Sequence, residues 1–389
     1  MKFAERMERL GTETAFEMLA KAKALEAEGK EVIHLEIGEP DFDTPRNIVE
    51  AAVRALREGY THYGPAPGLP ELRETIAEDA SRRRNIRVGP ENVVVTPGAK
   101  PIMFFSILAC VDEGEEVIYP NPGFPIYESV INFIDAKPVP IKLREEKEFS
   151  FDVDELAGLI TDKTRMIILN SPHNPTGGVL SRADLEAIAD MVRGKDIWIL
   201  SDEVYKDILY EGDFLSIASL PDMAEQTIIL DGFSKTYAMT GWRLGYGVMP
   251  VPLAEKIARL MVNSNSCTAT FIQKAGVEAL KGPQDEARRM AEEFRRRRDV
   301  IVDGLNQIEG ISCLKPHGAF YVFPNVTGIP MSTTELENFL LYEAGVASLS
   351  GTAFGAYGEG YLRFSYANSV ENIQKALDRM AEALKKVRK

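Results

Sequence analysis

The chain is poor in the residues that mark secreted, metal-binding or membrane proteins. Three cysteines in 389 residues (Cys110, Cys267 and Cys313) stand far apart, odd in number and without Cys-x-x-Cys spacing. That excludes a disulfide framework and reads as buried thiols in a reducing compartment. The four histidines, His34, His62, His173 and His317, are too scattered for a structural metal site, and none is assigned. The longest nearly apolar run, 101–111, falls short of the roughly 20 residues that a membrane-spanning helix needs. The first residues, MKFAERMERL, are charged throughout and hold no signal-peptide core. A cytoplasmic protein without a membrane partner is expected. Basic charge is also in deficit: 45 Lys and Arg against 59 Asp and Glu leave a net charge of −14. An acidic surface argues against nucleic acid but not against a locally positive site for a small anion.

What is present belongs to a folded enzyme-sized chain. Hydrophobic residues make up 45% and charged residues 27%, and the length exceeds one ordinary core. Helix formers over 12–29 suggest a first helix capped by Thr12 and closed by Gly29. A short strand, EVIHLEI, then runs into GEPDFDTP, and helices follow at about 46–58 and 70–84. Short apolar strands appear at 92–96, 116–119, 165–169, 197–200, 227–230 and 244–249, mostly with helical stretches between them. Such alternation implies an α/β fold with a largely parallel sheet covered on both faces.

Beyond Gly282-Pro283 the pattern changes to a charged helix at 284–309, a strand at 318–323, a helix at 333–344, a strand at 361–367 and a terminal helix at 370–388. These suggest a smaller α+β domain of 1–45 and 284–389 beside a large domain of 46–283. The run Arg295–Arg298 points around the whole helix cylinder rather than along one face, so a solvated, acid-flanked helix is expected.

In open parallel sheets ligands bind beyond the carboxyl ends of the strands. After 92–96 comes Pro97-Gly98-Ala99-Lys100-Pro101, where a glycine and a helix start can receive an anion. After 165–169, the prolines and glycines of residues 171–178 stiffen a loop that carries Asn174. Strand 197–200 ends in Asp202, with Tyr205 three residues on; the alternative reading of Asp202 is a helix cap. Strand 227–230 leads to Ser234-Lys235 and then Gly241-Trp242-Arg243. A lysine in so small and aromatic a loop suits a Schiff-base amine, because burial lowers its affinity for a proton. Four strand ends in succession thus each deliver one chemical part.

These strings closely resemble the class I and II aminotransferases of fold-type I, from Gly38-Glu39-Pro40 to Arg363. The resemblance implies a mostly parallel seven-stranded sheet in an α/β/α sandwich, plus the smaller α+β domain. It implies pyridoxal 5′-phosphate joined to Lys235, which also shuttles the substrate proton. Asp202 would pair with the ring nitrogen, and Tyr205 and Asn174 with the ring's phenolic oxygen. Gly98, Ala99, Ser234 and Arg243 would form the phosphate cup, and Phe124 would stack on the ring. Tyr63 would reach the phosphate of a neighbouring subunit, which implies a homodimer. Arg363 would hold the substrate α-carboxylate, with Gly38 leaving room beside it. Lys100 would serve either the phosphate or the distal carboxylate of an acidic substrate.

The expected activity is therefore ping-pong transfer of an amino group from an L-amino acid, aspartate favoured, to a 2-oxo acid such as 2-oxoglutarate. Aromatic or alanine donors, or C–S β-lyase chemistry, remain open. A cofactor-sensing regulator is disfavoured, since fewer than 40 residues precede Gly38 and the charge is acidic. A nicotinamide dehydrogenase is disfavoured because no G-x-G-x-x-G follows a strand.

Overall fold

The computed structural model describes residues 1–387. The chain begins with helix α1, Ala15–Ala27, strand β1, Ile33–His34, and helices α2, Arg46–Arg57, and α3, Pro70–Arg84. Alternation follows: β2, Val93–Thr96; α4, Lys100–Cys110; β3, Glu116–Asn121; α5, Ile126–Phe133; β4, Lys137–Lys142; α6, Val153–Leu159. It continues with β5, Thr164–Asn170; α7, Arg182–Val192; β6, Trp198–Asp202; β7, Thr227–Gly232; and β8, Gly245–Val248. Helices α8, Val251–Ser264, and α9, Thr270–Lys281, lead to the long α10, Asp285–Leu305. The last part holds β9, Tyr321–Val322; α11, Thr333–Phe339; β10, Val346–Ala347; β11, Leu349–Ser350; β12, Leu362–Ser365; and α12, Val370–Val387.

Seven strands form one sheet in the order β2-β8-β7-β6-β5-β3-β4. All pairings are parallel except those of β8, which runs against β2 and β7. Alternate residues of the central strands feed opposite cores. On β5, Ile167 and Leu169 pack with α7, while Met166 and Ile168 pack with α4 and α8. Both faces are therefore dry, which is why these strands read as unbroken apolar runs. Burying each such Ile or Leu contributes about 1.5–3 kcal/mol relative to exposure. α2 buries Ile48, Ala51, Ala52 and Ala55, one stripe at helical spacing.

Register aligns the strand ends that carry chemistry. Asn170 pairs with Asp202 across β5 and β6, and Gly245 at the start of β8 faces both Gly232 and Thr96. The loops after β2, β5, β6 and β7 thus open on one side of the sheet.

A separate core packs Phe294, Ile301 and Leu305 of α10 against Ile373 and Met380 of α12, around Phe320 and Phe364. Ile33 and Leu35 join it, tying the N-terminal segment to the C-terminal part. There β9, β11 and β12 form a small antiparallel sheet, and β1 pairs with β10.

Several expectations are corrected. Thr12 caps nothing: α1 begins after Thr14, whose side chain makes no cap bond. The EVIHLEI strand shrinks to two residues and 318–323 to Tyr321–Val322. The helix expected at 284–309 ends at Leu305, and 333–344 is a short helix followed by one π turn at Leu340–Ala344. Strand 361–367 is confined to Leu362–Ser365, and residue 388 of the expected terminal helix lies outside the described residues. β4 escaped notice because its sequence, KPVPIK, holds two prolines. An edge strand tolerates them, since one side of its backbone has no ladder to join. The arginine run is not wholly solvated. Arg297 and Arg298 are buried, Arg297 against Asp41 and Glu293, Arg298 against Glu211 with its guanidinium over the Tyr210 ring.

Candidate active site

A cavity of about 550 Å³ opens where the loops after β2, β5, β6 and β7 meet the small antiparallel sheet. That volume suits a cofactor-sized ligand. Its lining includes Gly38, Ala99, Lys100, Phe124, Asn174, Asp202, Tyr205, Ser234, Lys235, Arg243 and Arg363. Gly98 is not part of that lining but lies against Arg243, which is. A Cβ on it would overlap the Arg243 guanidinium, and its φ of +87° lies in the left-handed region.

Lys235 follows β7 in a turn anchored by the buried Phe233 and Tyr237. Its Nζ donates to the Gly38 carbonyl at 2.6 Å and stands 5.9 and 5.8 Å from the ring centroids of Tyr205 and Phe320. No carboxylate pairs with it among the described residues. Burial pushes the amine down to about 8, with the nearby charge of Arg363 acting in the same direction against Glu39. A partly neutral lysine at the base of a cavity is a nucleophile in waiting.

Asp202 ends β6 and starts no helix, so the capping alternative falls. Its carboxylate accepts a hydrogen bond from Tyr127 Oη at 2.7 Å and one from the Val204 N–H at 3.3 Å. Burial raises it to about 6, helped by the charges of Asp231 and Glu203 and opposed by those two hydrogen bonds. It is ionised at neutral pH and lacks a cationic partner among the described residues.

Two guanidiniums also face the cavity without carboxylates. Arg243, in the left-handed region at φ 55°, donates Nη1 to the Thr240 carbonyl at 2.6 Å. Arg363, on β12, donates Nη1 to Asn174 Oδ1 at 3.2 Å and Nη2 to the Glu36 carbonyl, while its buried Nε has no partner. Its guanidinium lies 4.6 Å from the Tyr321 ring centroid and 4.9 Å from that of Phe354. A buried arginine left with spare donors is built to receive an anion.

Asn174 is held by its loop: its N–H donates to Asn170 Oδ1 at 2.9 Å, and His173 Nδ1 shares a 2.8 Å hydrogen bond with Thr176 Oγ1. Gly177 permits the turn, because a side chain there would strike Pro316 and the Gly318 carbonyl. Phe124 stands edge-on to Tyr127, 5.6 Å between centroids, and Lys100 Nζ lies 5.3 Å from its ring centroid.

Tyr63 does not join this group. It is 91% exposed and outside the cavity of the single chain. Conversely, the cavity contains residues that sequence reasoning passed over. Tyr127 holds Asp202, Tyr321 shares a 2.8 Å hydrogen bond with Tyr205, and Glu13 pairs with Lys100. The spacing of Tyr127 from Phe124, one helical turn, could have signalled the first. Nothing local signals Tyr321 or Glu13. Together the cavity offers an unpaired amine, an ionised carboxylate, two receptive guanidiniums and an aromatic plane. That donor set fits a flat, anionic, aldehyde-bearing ring plus a carboxylate substrate.

Comparison with known proteins agrees. A sequence model of the family described as aminotransferase class I and II matches residues 30–380. The chain is 44% identical over 360 residues to an aspartate aminotransferase of Pyrococcus abyssi, covering 92% of each. It is 41% identical over 389 residues to aromatic-amino-acid aminotransferase 2 of Thermococcus litoralis, covering 99% of each. The solved structure of the aspartate aminotransferase from Rhizobium meliloti superposes with a TM-score of 0.94 at 37% identity, covering 99% of both chains.

Proposed function

Because the chain belongs to the class I and II aminotransferases, we propose that it binds pyridoxal 5′-phosphate and moves the amino group of aspartate to a 2-oxo acid such as 2-oxoglutarate. The observation that carries this reading is the meeting of Lys235, Asp202, Arg243 and Arg363 in one cavity, the two guanidiniums and the amine without carboxylate partners.

When bound, the cofactor supplies an aldehyde that condenses with amines and a ring that draws electrons from the substrate α-carbon. Lys235, with its amine near pKa 8, provides the lone pair that ties the cofactor to the chain. Freed by substrate, its Nζ takes and returns the α-proton. Asp202, ionised above about pH 6, supplies the negative charge that a protonated ring nitrogen requires. Tyr127 keeps that carboxylate in place.

Tyr205 and Asn174 serve the phenolic oxygen, and Phe124 the ring face. Gly98, Ala99, Ser234 and Arg243 receive the phosphate, where a fork of N–H groups suits a dianion. Arg363 takes the α-carboxylate, with Gly38 beside it. The exposed Tyr63 completes the phosphate site of a second copy, making a homodimer. The large domain spans 46–283 and the small one 1–45 with 284–389; the core shared by Ile33, Leu35, α10 and α12 supports that division. Three free thiols support work in the cytoplasm.

Lys100 supports the preference for aspartate. Its half-exposed side chain lines the cavity, with Nζ 5.3 Å from the Phe124 ring centroid, where a substrate's distal carboxylate could reach it. A second reading, aromatic donors, draws on Phe16, Phe124 and Phe354, which give the same cavity an apolar lining.

A panel of amino donors against the cofactor-loaded enzyme, followed by absorbance, tests the choice. Aspartate is expected to react fastest, and Lys100→Ala to lose acidic donors about tenfold more than aromatic ones, the scale of one charge-assisted hydrogen bond. Equal losses across the panel would assign Lys100 to the phosphate instead.

A further inference from the structure

We infer that Glu13 is a displaceable internal carboxylate: it occupies Lys100 when the substrate side chain carries no acid and yields it to a dicarboxylate. The inference rests on the proposed role of Lys100 as the receiver of a distal carboxylate.

Glu13 and Lys100 are 87 residues apart in sequence and form an ion pair at the cavity wall, which both residues line. Glu13 comes from the segment ahead of α1, and its carboxylate has no other partner among the described residues. Its charge also acts on Lys235, Arg363 and Tyr321, so it faces the cationic half of the cavity rather than bulk solvent alone. The Glu13 side chain is 21% exposed and that of Lys100 47%. Thr12 and Thr14 on either side are exposed, leaving the carboxylate a short path to water.

A pair this wet is weak, so a second carboxylate can replace the first with little net cost. A substrate side chain bearing a carboxylate would offer Lys100 the same contact, and the two acids would repel each other until Glu13 turned outward. With an apolar side chain the pair stays closed. Lys100 then presents no unpaired charge to the incoming carbon atoms, a contact that would otherwise cost desolvation. Phe16, two residues into the same segment's helix and 63% exposed, adds apolar surface at the mouth. Ping-pong transfer passes donor and acceptor through one pocket in turn. A removable acid lets that pocket accept both an acidic acceptor and an apolar donor.

The test measures dissociation constants of two unreactive acids, succinate and 3-phenylpropionate, for the cofactor-loaded enzyme by calorimetry. Glu13→Gln should lower the succinate constant about threefold to fivefold relative to that of 3-phenylpropionate, the range of a half-exposed ion pair. Glu13→Ala should act in the same direction. In Lys100→Ala, succinate should lose its advantage, and adding Glu13→Gln should then change nothing. An unchanged or rising succinate ratio in Glu13→Gln, while Lys100→Ala still loses succinate selectively, would overturn the displacement alone. Lys100→Ala with an unchanged ratio would overturn the distal-carboxylate reading beneath it.

Discussion

Two groups of cations lie on either side of the end of β7, and their partners set them apart. On one side, Arg84 donates Nε to Glu203 at 2.7 Å and Nη2 to Asp231 at 2.8 Å, with its side chain fully buried. Lys206 pairs with Asp207 and Asp231, each at 2.9 Å, and Tyr246 donates to Asp231 at 2.8 Å. On the other side, Lys235, Arg243 and Arg363 have carbonyls or an amide for company and no carboxylate among the described residues. Asp231 and Lys235 are four residues apart. A cation out of water must find a negative partner or be held there by the rest of the fold. The first group finds its counter-charges within the chain. The second has none there, and on the proposed reading that difference separates structure from chemistry more sharply than burial does.

Substitutions should break the two groups differently. The largest effect is expected from Asp202→Ala, which should slow transamination by up to about 10⁴-fold while the protein still binds some cofactor. Single-turnover absorbance measures this, and near-normal turnover would remove the electron-sink role. Arg84→Met comes next. It strands the buried Glu203 carboxylate and should cost about 3–5 kcal/mol of stability, seen as a lower thermal midpoint of the apoprotein. Arg363→Leu should do otherwise. It loses about 2–5 kcal/mol of substrate binding in kcat/KM, whereas the apoprotein midpoint falls less than for Arg84→Met because no buried carboxylate is left stranded. A matched fall in midpoint for both variants would erase the distinction.

The smallest effect is one of pH. The pKa of Lys235 is depressed to about 8, so its reactive neutral form grows as pH rises through that value. Cofactor capture by the apoprotein should therefore speed up about tenfold per pH unit below 8 and level off above it. A flat profile between pH 6 and 8 would contradict the depressed amine.

Sequence showed some of this comparison and hid the rest. The bounds of α3 and the run of central strands were legible, because proline at a helix start and unbroken apolar runs between dry faces are local signals. The loops carrying Asn174, Asp202 and Lys235 were legible for the same reason, as each follows a readable strand. Arg84 closes an Arg-Arg-Arg run that looks like a solvated helix end, yet it is buried where it meets Glu203 and Asp231, distant along the chain. Arg297 and Arg298 misled in the same way. Glu13 and Tyr321 meet the site from elements distant along the chain, and periodicity carries no record of such contacts. The role proposed for the exposed Tyr63 needs a second copy, which no single chain displays.

The central claim is that the amine of residue 235 holds the cofactor. Borohydride reduction of the loaded enzyme, followed by peptide mass analysis, should leave the reduced cofactor on the peptide containing Lys235 and on no other, and Lys235→Ala should carry none and show no turnover. Label on a different lysine, or label retained by that variant, would contradict the claim.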